Sequence, residues 1–156
     1  MQITPLTKRR LTNFRANKRG FWSLWIFLGL FTTSLFAELI ANDKPLLVSY
    51  ESSFYFPIFF DYPETEFGGF LETTTEYSDP EVVEMIENKG WIFWPLIRFS
   101  FDTVNYRLSV PAPAPPSKLN FLGTDDQGRD VAARLIYGFR ISVLFGLTLT
   151  LFSSII

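Results

Sequence analysis

Cysteine and histidine are both missing from the 156 residues of this chain. Their absence removes disulfides, thiolate and imidazole metal sites, thiol nucleophiles, and every Ser-His-acid or Cys-His arrangement. An enzyme built on this sequence would have to run on carboxylates, lysine or tyrosine. Neither GxxxxGK[ST] nor GxGxxG occurs, so no nucleotide is bound by those routes. Charge is sparse as well: 19% of the residues are charged, against 47% hydrophobic and 18% aromatic. Eighteen Phe, four Trp and six Tyr are far too much apolar surface for a disordered tail, so the question is where that surface goes.

The formal charge of −2 conceals three blocks. Lys8, Arg9, Arg10, Arg15, Lys18 and Arg19 lie in residues 1–20 without one acid. Residues 21–41, FWSLWIFLGLFTTSLFAELIA, follow with Glu38 as the only ionisable group. About 21 residues at 1.5 Å each give roughly 31 Å, enough to cross a hydrocarbon core. The expectation is a cytoplasmic basic tail (1–20) and a first transmembrane helix (21–41), with Trp22 and Trp25 at the headgroup level. A cleaved signal peptide is the competing reading. Against it, the apolar run exceeds the usual length, and a cut after Ala41 would leave Leu39 at the −3 position. A nucleic-acid arm is disfavoured by the basic cluster directly abutting a span.

Residues 42–120 carry twelve acids and five bases and are expected to form a small mixed α/β extracytoplasmic domain. Leu46–Tyr50 and Phe54–Phe60 have strand composition, with Pro57 marking an edge or bulge. Asp79-Pro80-Glu81 opens a short helix, with Asp79 as N-cap and Gly90 as its C′ residue. Residues 91–97, WIFWPLI, are too short to cross a membrane and suit a core or an interface-seeking surface. The run PAPAPP at 111–116 is expected to be an extended, semi-rigid spacer. Asp61, Glu64 and Glu66 lie close in sequence, but DYPETEFGG lacks the ligand order of a Ca²⁺ loop, and proximity alone does not make a glycosidase pair. Solvated acidic surface is the simpler reading, with no metal and no catalytic residue assigned.

The most distinctive stretch is Leu122-Gly123-Thr124-Asp125-Asp126-Gln127-Gly128-Arg129-Asp130-Val131, continuing through Arg134, Tyr137, Gly138 and Arg140. Thr124 and Gln127 have the spacing of a capping box, so a capped amphipathic helix is expected over 121–140. Val131, Leu135 and Phe139 would form its apolar stripe, and Asp130 would pair with Arg134 four residues on. Residues 141–156 are free of charge and, at about 16 residues, shorter than a straight span needs, so they read as the interrupted start of a second transmembrane helix.

The run FLGTDDQGRDVAARLIYGFRISVLFG resembles the segment that leads into the second span of the dipeptide and oligopeptide ABC-transporter permeases, with its LGTDxxGRDxxxRxxYGxRxS pattern. NFRANKRGFWSLWIFLGLF and AELIANDKPLLVSYESSFYFP are similar to the YejE-like branch, associated with import of peptides and of microcin C. The resemblance extends over essentially all 156 residues and corresponds to the N-terminal portion of such a permease. It implies an α-helical integral membrane protein of the bacterial inner membrane that works by alternating access and is not itself an enzyme. It implies a second permease subunit, cytoplasmic ATPase subunits that use ATP, an extracytoplasmic peptide-binding protein and short peptides as substrate. Leu122, Gly123, Thr124, Asp125, Gly128, Arg129, Asp130, Arg134, Tyr137, Gly138, Arg140 and Ser142 match the pattern and carry over as a structural and subunit-contact motif. The chain departs from the family in lacking the further spans and the EAA-type loop that docks the ATPase. Two spans cannot enclose a polar pathway through lipid, so this polypeptide alone is not expected to transport. The alternative from another class is a small membrane-anchored scaffold protein of the envelope, which would leave the TDDQGRD run without a purpose.

Overall fold

A computed structural model describes residues 4–155. The basic tail is helical, α1 (Pro5–Ala16), with Pro5 in the first turn where its missing N–H is not needed. Asn17 then starts α2 (Lys18–Leu35) by accepting from the Gly20 N–H at 3.2 Å.

The first apolar run is divided where one continuous helix was expected. At Phe36 the backbone turns to φ −101°, ψ 31°, and the Phe36 N–H reaches the Thr33 carbonyl, tightening the last turn. A separate turn, α3 (Ala37–Ile40), follows. The physical cause lies in packing, because Ala37 and Ala41 are drawn into a buried cluster with Ile97, Ala133 and Tyr137. Among the described residues, α5 (Val131–Ile155) is the one helix long and apolar enough to cross a membrane by length and composition.

Between these helices lies a three-stranded antiparallel sheet in the order β2-β1-β3, formed by β1 (Leu47–Tyr50), β2 (Ser53–Tyr55) and β3 (Gly90–Phe93). Glu51 and Ser52 join β1 to β2, both at positive φ, as a two-residue hairpin loop requires. The second strand is shorter than its composition suggested and stops before the buried Pro57, which has no N–H to continue a ladder. Residues 91–93 of the WIFWPLI run are the third strand.

α4 (Pro80–Lys89) is capped as expected, with Asp79 Oδ1 accepting from the Glu81 N–H at 2.9 Å. Gly90 is not its left-handed cap. It is extended, at φ −170°, and opens β3 where a side chain would strike the Ser49 carbonyl. The helix packs Val82 and Ile86 beneath the sheet with Val48, Tyr50, Phe67 and Tyr77. Phe67 sits at the centre, closing a 3-10 turn (Glu64–Phe67), and meets Tyr50, Tyr55 and Tyr77 edge-on.

Candidate functional site

Residues 111–130 hold no helix or strand, yet they supply most of the buried polar groups, Asn120, Thr124 and Asp130 among them. Their backbone is bound by specific pairings. Thr124 N–H donates to the Ala114 carbonyl, and the Ala114 N–H returns to Thr124 Oγ1, both at 2.9 Å. The proline-rich run is therefore fastened to the motif at Ala114. Gly123, at φ 77°, lets these two segments approach: a side chain there would lie 2.4 Å from the Ala114 carbonyl oxygen.

Asp125 is the centre of the next layer. Its carboxylate accepts from the backbone N–H groups of Gln127 and Arg129 and from Arg129 Nε, each at 2.9 Å, and from the Arg134 guanidinium. Burial alone would raise this carboxyl. The hydrogen bonds from Arg129 and Gln127, with the Arg129 charge, outweigh it and hold the group down at about 2. Gly128, at φ 80°, turns the chain so that its carbonyl accepts from the Asn105 N–H at 2.9 Å.

Asp130 forms the inner layer and has 0% exposure. Its Oδ2 accepts from Asn120 Nδ2 and its Oδ1 from the Ala133 N–H, both at 2.8 Å. Asn120 Oδ1 accepts in turn from Asn105 Nδ2 at 3.0 Å. Asp130 is thus the N-cap of α5, six residues later than the Thr124 cap read from the sequence. The expected Asp130–Arg134 pair does not form, because capping uses the Asp130 carboxylate and Arg134 turns back to Asp125. Nor is the apolar stripe where periodicity put it. Leu135 is exposed, while Ala133 and Tyr137 are the buried positions and Phe139 meets Phe27 edge-on.

The last layer ties α5 to α3. Tyr137 donates to the Ala41 carbonyl at 2.9 Å. Arg140 lies over the Tyr137 ring and holds both oxygens of Glu38 at 2.8 and 2.9 Å. Leu122 is exposed, and Gly138 and Ser142 stand on the open surface of α5. So Gly123 to Arg140 mostly converge on one knot, whereas Leu122, Gly138 and Ser142 take no part in it. Asn105, Asn120 and Ala41 belong to the knot without having been read from sequence as part of it, and Glu38 was noted as the lone acid of an apolar run but without its partner. Among the described residues no cluster of His, Cys, Asp and Glu is arranged to hold a metal ion.

The polar knot thus joins a helix of spanning length, α5, to α3 and to the loop that precedes it. The chain is homologous along nearly its whole length to ABC-transporter permeases of the YejE kind, as the motif resemblance implied. It is 53% identical over 154 residues, 99% of its length, to an inner membrane ABC transporter permease protein YejE of Escherichia coli, covering 45% of that protein. It is 48% identical over 99% of its length to a peptidoglycan transport system permease protein YejE of Agrobacterium fabrum, covering 46% of it. A 56-residue stretch is 43% identical to an oligopeptide transport system permease protein OppC of Bacillus subtilis, covering 35% of this chain and 17% of that one. The chain spans less than half the length of the two longer matches. No protein-family model and no solved structure matches it.

Proposed function

We propose that the chain is the N-terminal part of a permease subunit in an ATP-driven importer of short peptides in the bacterial inner membrane. The observation that carries this reading is the match, at 53% identity along 99% of the chain, to a permease. The relatives, an oligopeptide transport permease in one case and a peptidoglycan transport permease in another, favour short peptides, including those carried by cell-wall fragments, as the substrate class. On this reading the chain binds no nucleotide. Partner ATPases use ATP, a second permease subunit completes the pathway, and an extracytoplasmic binding protein delivers the peptide. Transport is alternating access between two helix arrangements, not covalent chemistry.

The topology follows from charge. The basic α1 and the start of α2 stay in the cytoplasm, α2 and α3 lead outward, and residues 42–130 lie outside. α5 then returns through the membrane. The knot's role is to fix the angle at which the returning helix leaves the domain, with Arg134 at its rim as the residue that faces a partner subunit.

Deleting the region encoding these residues in its host, and measuring uptake of a labelled tripeptide, tests the proposal. Uptake is expected to fall to background and to return when the whole permease gene is supplied in trans. Unchanged uptake, with no other peptide importer in the strain, would refute it.

A further inference from the structure

We propose that the outer face of the β2-β1-β3 sheet, with the loops at the edge nearest α3, seats in the headgroup zone of the lipid bilayer. Side chains alternate across a strand, so the sheet has two faces. Val48, Tyr50 and Ile92 turn to the core. Ser49 pairs with both Phe54 and Trp91, and Leu47 pairs with Phe93, which places these three aromatics on the opposite face. Phe54 and Trp91 meet edge-on at 6.4 Å across Ser49, and all three remain exposed.

Position decides what covers them. The Ile97 N–H donates to the Ile40 carbonyl at 2.9 Å and the Asn42 N–H to the Ile97 carbonyl at 3.1 Å, so the chain after β3 is stitched to the last turn of α3. Leu96, beside that stitch, is 73% exposed. Asp61 pairs with Lys44 at 2.5 Å, three residues past Ala41, which brings Phe59 and Phe60 to the same edge, 71% and 62% exposed. Phe93 ends β3 there, its carbonyl accepting from the Leu46 N–H.

Large apolar side chains therefore crowd the edge of the domain that adjoins the helices. In water such a patch is a liability; beside a span, aromatic and leucine side chains partition favourably into the interfacial zone. Asp61 and Lys44, beside Phe60, pair with one another and remain exposed, as polar groups in a headgroup zone can. A lipid surface that begins where α3 ends is continuous with this patch.

This seating rests on the topology proposed above, and one experiment separates the two. The chain lacks cysteine, so single nitroxide labels can be placed without background. Labels at Phe60→Cys, Trp91→Cys and Leu96→Cys are compared with Leu147→Cys on the open surface of α5 and Glu87→Cys on α4. The full chain is reconstituted in phosphatidylcholine nanodiscs, and collision with oxygen is measured against a water-soluble nickel chelate. The expected result is that Leu147→Cys and the three patch labels favour oxygen while Glu87→Cys favours nickel. Nickel access at Leu147→Cys would overturn the topology and the seating with it. Oxygen at Leu147→Cys with nickel access at the patch would overturn the seating alone. Patch labels immobilised and shielded from both reagents would mean protein contact, and would overturn it too.

Discussion

Beneath the sheet, Phe67 touches Tyr50, Tyr55 and Tyr77 with ring centroids 5.1 to 5.9 Å apart, and nearly everything buried there is carbon. At the foot of α5 the buried groups are Asn120, Thr124 and Asp130, each matched donor to acceptor. Both regions are buried, and they are held by different forces. Dispersion and apolar burial have no direction, so the first region requires volume and tolerates changes of shape. Hydrogen bonds at low dielectric have direction, and a mismatch costs the desolvation of the group left over. That contrast explains why the recognisable motif lies in the second region: each of its positions admits few chemistries, whereas an aromatic core admits many.

The comparison is broken most forcefully by emptying one region and mismatching the other. Phe67→Ala should cost about 3–5 kcal/mol, because the ring is fully buried and its contacts are lost around a cavity. Thermal unfolding of the detergent-solubilised chain checks this. Asp130→Asn changes almost no volume, yet it sets an amide against the Asn120 amide and should cost about 1–3 kcal/mol. The volume-conserving core change Ile86→Leu should cost less than about 1.5 kcal/mol. If Asp130→Asn proved the milder of the two, the distinction between directional and undirected packing would fail.

Tyr137→Phe leaves the Ala41 carbonyl without its donor and should cost about 1–2 kcal/mol. Tyr77 is the instructive opposite. Its buried hydroxyl has no hydrogen-bond partner among the described residues, a polar atom in the carbon region, so Tyr77→Phe should stabilise the chain by about 1 kcal/mol. A loss of stability there would show that the hydroxyl is satisfied.

A further effect is on pH dependence. Asp125 is held down at about 2 against an unfolded value near 3.8, so its contribution is complete above that value. It is lost as the pH falls through the folded value. The difference in melting temperature between the native chain and Asp125→Asn should therefore be constant at neutral pH and close between about pH 4 and pH 2. A difference that persisted unchanged at pH 2 would mean that Asp125 acts through shape instead of charge.

Local chemistry made several features legible in advance. Asp79 before Pro80 can only cap or turn, and it caps α4. The charge-free run after Arg140 is helical at any depth, since its side chains suit the span-length helix in which it lies. The cap of α5 was misread because two residues had the right chemistry: Thr124-x-x-Gln127 is a capping box by spacing, and Asp130 is an N-cap residue by type. Sequence spacing cannot rank them, because the choice depends on Ala114 engaging Thr124 and Asn120 engaging Asp130. Glu38 was likewise seen as an isolated acid near a membrane boundary, without its partner Arg140 across 102 residues of chain.

What the amino-acid sequence by itself determined is what depends on composition and near neighbours. That covers the exclusion of thiol and imidazole chemistry, the basic and acidic blocks, and the apolar runs. What only the tertiary structure decided is which polar group answers which. Asp125 draws in Arg134, Asp130 takes Asn120, Arg140 takes Glu38, and the first apolar run breaks at Phe36 so that Ala37 and Ala41 can meet Ala133 and Tyr137. The physical reason is that a hydrogen bond or an ion pair is a statement about distance in space, and residues far apart along the chain acquire that distance only when everything between them has folded.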